Sequence, residues 1–276
     1  MKSLIKEGFR SAIPLPARMR LAAWLARQPW LPVGDHVAVG LVRDLLAADP
    51  KGFHKFLWSN HFMGYARWYD SEGELFAFEQ MQPSRIEFFR DLTAALGAQG
   101  IEPSDVRSVF EIGCSQGYLL RYAEMKVFPS CSEIVGIDID APAILKGQEV
   151  LARAGSHVKL MAGDMEDVDS LVAGRTFDVT LVPGVLSYLD EHDAARMVAR
   201  VVARTGKMVA FAGLACLERN NNELTRSQPS PNHPGQWIHN FEALITKVGW
   251  RVVRARWEGA KEYNLQTICF VFAVPA

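Results

Sequence analysis

The chain has 276 residues, enough for one large domain or one domain with an appended cap, and at 49% hydrophobic and 22% charged it has a globular composition. A net charge of −1 argues against a general nucleic-acid binder, which needs a basic surface to neutralise phosphates. No apolar run approaches the roughly 20 residues that span a bilayer, and no signal-peptide pattern opens the chain, so the expected location is cytoplasmic. Cys114, Cys131, Cys216 and Cys269 have no metal-ligand spacing and read as reduced, mostly buried thiols; no metal is expected.

In chain order, residues 1–30 carry six basic residues and one acid, for a local charge of +5, with Leu21, Trp24, Leu25 and Trp30 interspersed. A membrane-surface arm is one reading of this stretch. Prolines 14, 16 and 29 interrupt the helix, however, and packing by its apolar face is the preferred reading. Nine aromatics fall between Phe53 and Phe78. Most suit the core of a helical cap, and His54, His61 and Tyr65 are its polar candidates for substrate contact. Residues 1–104 show helical patterns without a strand series and are expected to form an N-terminal helical extension.

From residue 105 to 276 strands and helices alternate. Strands are expected at 106–112, 134–138, 158–161, 177–182, 207–212, 250–257 and 267–274. Between them lie a helix from about Ala141 to the C′ glycine Gly155, one capped by Asp190 and ending at Gly206, and one capped by Asn240 and ending at Gly249. This pattern implies an α/β fold, a doubly wound and mostly parallel sheet, with its ligand at the carboxyl ends of the strands.

Residues 107–118 hold the strongest signal. An apolar run (Val109, Phe110, Ile112) carries one acid, Glu111, and breaks at Gly113 and Gly117. This reads as a buried strand, a tight turn and a helix start, where a nucleotide-like cofactor would sit. Asp138 ends the next strand 21 residues past Gly117, where a carboxylate can accept from ribose hydroxyls. Gly163-Asp164-Met165 follows the third strand, where a carboxylate can read an adenine edge. Val182-Pro183 closes the fourth. Taken singly, each of these has an ordinary use: a βα turn, a helix cap, a turn pair.

Together these motifs resemble the class I S-adenosylmethionine-dependent methyltransferases, over residues 107 to about 213 and more loosely the last helix and strand pair. The resemblance implies a Rossmann-like seven-stranded sheet with its last strand antiparallel. It implies S-adenosyl-L-methionine as cofactor and S-adenosyl-L-homocysteine as product. Glu111, Gly113, Cys114, Ser115 and Gly117 would face the methionine part, Asp138 the ribose, Ile139 the adenine, and Asp164 with Met165 the adenine amino end. Val182 and Pro183 would line the methyl-transfer site. Ser115 stands where the family often has a middle glycine, and Gly184 and Tyr188 where it often has Glu and His. A nicotinamide dinucleotide site fits less well, because Glu111 would repel a pyrophosphate but favours an ammonium or a sulfonium. The Walker pattern is absent.

Methyl transfer from a sulfonium mainly needs alignment, although a hydroxyl acceptor also needs a base. The long connection 214–239 supplies the candidates His239 and, for substrate contact, Trp237; Tyr188 is a second catalytic candidate. The expected partner is a small-molecule acceptor methylated on oxygen or nitrogen, with no nucleic acid. The alternatives are a macromolecular acceptor, RNA or protein, and a module that binds the cofactor without turnover.

Overall fold

The computed structural model describes residues 13–28, 34–62, 81–258 and 268–276. It divides into two compact units, residues 1–70 and 71–276.

The first unit is helical. α1 (Leu15–Ala26), α2 (Gly34–Val42), α3 (Leu45–Ala48) and α4 (Pro50–Ser59) surround a core of Ala22, Ala38, Val42, Phe53, Phe56 and Phe62. Pro16 lies in the first turn of α1, where a missing N–H costs nothing, so it starts the helix rather than breaking it. Arg18 crosses to α2 and α3, donating to the Leu41 carbonyl at 2.8 Å and pairing with Asp44 at 2.7 Å. Asp49 caps α4 by accepting from Gly52 N at 2.8 Å.

The second unit begins with α5 (Pro83–Gly97). Then come β1 (Ser108–Ile112), α6 (Tyr118–Tyr122) with a π-helical turn at Ala123–Val127, β2 (Glu133–Asp138), α7 (Ala141–Arg153), β3 (Lys159–Ala162), α8 (Val168–Leu171) and β4 (Phe177–Pro183). They are followed by α9 (Glu191–Ala203), β5 (Thr205–Leu214), the two-residue strands β6 (Gln228–Pro229) and β7 (Trp237–Ile238), α10 (Phe241–Thr246), β8 (Trp250–Glu258) and β9 (Ile268–Pro275). The main sheet runs β3-β2-β1-β4-β5-β9-β8. Strands β1 to β5 are parallel, and β9 is antiparallel to both β5 and β8.

Local chemistry explains these elements. The buried residues of α9 are Ala194, Met197, Val198, Val201 and Val202, an i, i+3, i+4, i+7, i+8 stripe that faces the sheet. Asp190 caps it and Asn240 caps α10, each accepting from the backbone N–H three residues on. Gly155 takes φ 61 behind α7, the expected C′ conformation. Gly206 is different: α9 ends at Ala203, and Gly206 lies inside β5. In the core, Phe110 stacks on Phe177 with ring centroids 4.9 Å apart.

The division between units falls earlier than the 104/105 boundary read from sequence, because α5 belongs with the sheet. Phe88 meets Phe270 and Phe272 of β9 at 5.3 and 5.5 Å between centroids. Asp91, wholly buried, accepts from Arg254 and Arg256 of β8. The long connection 214–239 is also ordered. Asn221, 2% exposed, accepts from Cys216 N at 2.8 Å and donates to the Leu214 and His239 carbonyls, both at 2.9 Å.

Candidate active site

Because β1 to β4 are parallel, their carboxyl ends share one edge of the sheet, and the strand order changes direction between β1 and β4. All the cofactor candidates lie there. Glu111 is in β1, with the 113–117 loop behind it. Asp138 ends β2 and Ile139 follows; Asp164 and Met165 follow β3; Val182 and Pro183 end β4.

The loop is left-handed at Gly113 (φ 83) and Gly117 (φ 79). Ser115 is left-handed too, at φ 48, which costs an L-residue about 1 kcal/mol. This is the position where the resembled family often has glycine. Gly113 N and Cys114 N both donate to the Ile137 carbonyl, at 2.8 and 3.1 Å, and Gly117 N donates to the Cys114 carbonyl at 2.8 Å. Ser115 N donates to Asp138 Oδ2 at 2.8 Å, and Asp138 Oδ1 accepts from Asp140 N at 2.8 Å. Asp138 thus braces the glycine loop against the end of β2. Burial lifts its carboxyl above the ordinary range, and the two amide bonds only partly offset that. The helix-cap role belongs to Asp140, which accepts from Ala143 N at 3.1 Å.

Two close approaches fix the loop from outside. A Cβ on Gly147 of α7 would stand 2.7 Å from Gln116 Cα, so α7 lies directly against the loop. A Cβ on Gly113 would overlap Val185, so the turns after β1 and β4 touch.

Glu111 is 1% exposed, and its buried Oε2 has no hydrogen-bond partner among the described residues. Burial pushes its carboxyl well above the ordinary value; the charge of Arg85 pulls it down, and that of Asp138 pushes it up. A buried carboxylate oxygen without a partner is costly, and a cation placed beside it would relieve that cost. Arg85, from α5, lies with its guanidinium carbon 4.7 Å from the Tyr118 ring centroid. Sequence reading missed Arg85, because residues 81–97 were assigned to the cap and a charge on an amphipathic helix reads as solvated.

The remaining candidates divide. Asp164 Oδ1 accepts from Glu166 N at 2.9 Å and caps the short turn behind β3, while Met165 packs on the main core. Val182 is wholly buried in that core, and Pro183 is half-buried at the strand end. Cys114 is buried, and its thiol is held well above the usual value, chiefly by burial, so it stays protonated. All four cysteines are free and buried. Asp178 supports backbone, accepting from Arg107 N at 2.6 Å.

His239 is 1% exposed and fully engaged: Nδ1 lies 2.8 Å from Ser227 Oγ and Nε2 lies 2.9 Å from the Leu186 carbonyl. A carbonyl can only accept, so Nε2 carries the proton and Nδ1 accepts from Ser227. As placed, neither nitrogen is open to an acceptor's proton. The ring instead ties the 214–239 connection to the turn behind β4. Burial pulls its pKa below the ordinary 6.5. The unfolded chain therefore takes up a proton that the folded ring resists, and this stabilising contribution is complete above about pH 6.5 and lost as pH falls through the lower folded value. We expect His239→Gln to flatten the fall in unfolding free energy between pH 7 and 5, measured by urea denaturation; an unchanged slope would contradict the assignment. Tyr188 ends the single turn behind β4, half-buried, and Trp237 lies half-buried in β7 opposite Pro229. His54 and His61 belong to the helical unit, His54 edge-on to Phe53 at 5.4 Å and His61 at φ 56 behind α4. Tyr65 lies outside the described residues. Among the described residues, Asp190, His192 and Asp193 form a grouping with metal-ligand spacing; Asp190 and His192 are exposed, and Asp190 is the α9 cap.

Residues 109–206 match the family described as a methyltransferase domain. With the strand order and the loop, that match makes residues 109–206 a methyltransferase domain. Among its relatives is a ubiquinone biosynthesis O-methyltransferase of Azorhizobium caulinodans, 28% identical over 192 residues, 66% of this chain and 71% of that one. Magnesium protoporphyrin IX methyltransferase from Synechocystis PCC 6803, solved with bound S-adenosylmethionine, shares the fold at a TM-score of 0.56 and 14% identity, covering 83% of this chain and 98% of that one. The mitomycin 7-O-methyltransferase shares it at 0.51 and 17% identity, covering 99% of this chain and 72% of that one.

Proposed function

We propose that this methyltransferase transfers the methyl group to a hydroxyl oxygen of a small molecule. The observation that carries the cofactor's placement is the buried, unpartnered Oε2 of Glu111 at the carboxyl end of the central parallel strands. Glu111 would hold the cofactor's ammonium, Arg85 its carboxylate and Asp138 the ribose hydroxyls, Asp138 keeping its bonds from Ser115 N and Asp140 N. Ile139 would lie against the adenine, with Asp164 and Met165 at its amino edge. S-adenosylmethionine supplies an electrophilic methyl on a sulfonium whose departure leaves a neutral thioether. The chain's own task is therefore alignment and exclusion of water rather than covalent chemistry.

Oxygen is favoured as acceptor because two of the relatives above are named O-methyltransferases. The engagement of both His239 nitrogens narrows the class further. A phenolic or enolic hydroxyl, with a pKa near 10 or below, asks less of a base than an aliphatic alcohol. The test is incubation with methyl-labelled S-adenosylmethionine against matched panels of phenols, aliphatic alcohols and amines. Label on phenolic oxygen is expected; label confined to amines would overturn the reading.

A further inference from the structure

The outward face of α1 has an unusual composition. Ala17, Arg20, Leu21 and Trp24 are all exposed, and their i, i+3, i+4, i+7 spacing places them on one side of the helix; Arg27, the C-cap residue that follows it, is exposed as well. Trp24 is 52% exposed and Leu21 37%. The opposite side already supplies the helical unit's core through Ala22, with Met19, Leu25 and Ala26 packed around it. The exposed indole and isobutyl groups are therefore surplus to folding, on a helix whose inward face is satisfied. Neither Arg20 nor Arg27 forms an ion pair in the described residues, whereas Arg18 on the inward side is bound to Asp44. The sequence before the helix adds Lys2, Lys6 and Arg10 against a single acid, Glu7.

We propose that this face of α1 docks the protein on an anionic lipid surface, with Trp24 and Leu21 at the headgroup level and Arg20 and Arg27 on lipid phosphates. The chemistry is that of an interfacial helix. An indole prefers the boundary between apolar and wet regions, and cationic side chains beside it meet a negative surface potential. A second copy of the chain fits the same face less well. A two-fold contact would bring two sets of uncompensated arginines together, and like charges in contact oppose association. The packing reading from sequence accounts for the inward half of this helix; the outward half is what it left over.

The test is co-sedimentation of the full chain with vesicles of phosphatidylcholine alone and of phosphatidylcholine mixed with phosphatidylglycerol. Wild type is expected to partition onto the anionic vesicles, and more weakly as salt is raised. Arg20→Glu with Arg27→Glu should lower partitioning by at least roughly fivefold per arginine. Trp24→Ser should lower it several-fold on the same vesicles. Circular dichroism melts and binding of S-adenosylhomocysteine, both expected to be unchanged, separate lost docking from lost folding. Equal partitioning onto both vesicle types, partitioning unaffected by the variants, or a dimer in solution that Trp24→Ser dissolves would each overturn the proposal.

Discussion

Asp91→Ala is expected to destabilise the sheet-bearing unit by about 3 kcal/mol, the low end for breaking a buried ion pair. Asp91 has no solvent exposure, and its carboxylate holds two arginines at once. Arg254 Nε donates to Oδ1 at 2.7 Å, and Arg256 donates to both oxygens, one of these bonds at 3.1 Å. Arg256 also reaches Glu258 at 2.8 Å and Glu87 at 3.2 Å. Burial alone would raise the Asp91 pKa; the bonds from Arg256 and Arg254 outweigh it and hold the carboxyl below its usual value. The low end applies because the guanidiniums keep 42% and 28% exposure and would regain water when the carboxylate is lost. Since the pKa is depressed, the contribution is present above about pH 4 and disappears as pH falls below it. Urea denaturation at pH 7 reads the effect, and a change under about 1 kcal/mol, the size of an exposed pair, would contradict it. Cofactor affinity should also fall, because α5 carries Arg85 and is fastened to the sheet by this cluster.

Glu111→Gln should move stability and binding in opposite directions. The carboxyl is buried with an unpartnered oxygen, and its pKa is well above the ordinary value. The unfolded chain therefore ionises it more readily than the folded one, and the penalty to the fold grows as pH rises above about 4. Removing the charge should raise the melting temperature of the ligand-free protein at pH 7, with the gain fading towards pH 4. The same substitution removes the anion proposed to face the cofactor's ammonium. A hydrogen bond to a charged group contributes about 1.5–3 kcal/mol, so affinity for S-adenosylhomocysteine should fall roughly ten- to a hundredfold. Differential scanning calorimetry and isothermal titration read the two halves. A variant that loses stability, or that keeps wild-type affinity, would contradict the role.

The sheet was legible in the sequence because its signals are local. Apolar runs of strand length, glycines behind helices and Asp or Asn caps need no knowledge of the rest of the chain. The convergence of the candidates was legible for a related reason: a parallel sheet brings the end of every strand to one side, so Glu111, Asp138 and Asp164 had to meet at one edge once the strands were placed. Burial by distant partners was not legible. Asp91 lies 163 residues before Arg254 and looks like a solvated charge on a helix until β8 is folded beside it. Arg85 was hidden for the same reason. His239 reads from sequence as a base candidate, and its residue type could not reveal that Ser227 and Leu186 occupy both nitrogens. Trp24 is the converse case, a large apolar residue expected to pack inward that stands on the outer face.

Isothermal titration of S-adenosylhomocysteine into wild type and Asp138→Ala tests the central claim most directly, because Asp138 both braces the loop through Ser115 N and is the proposed ribose partner. Wild type should bind, and Asp138→Ala should bind at least roughly tenfold more weakly, the loss of one or more hydrogen bonds to a charged group. No binding by the wild type, or equal affinity in the variant, would contradict the placement of the cofactor at the 111–117 loop.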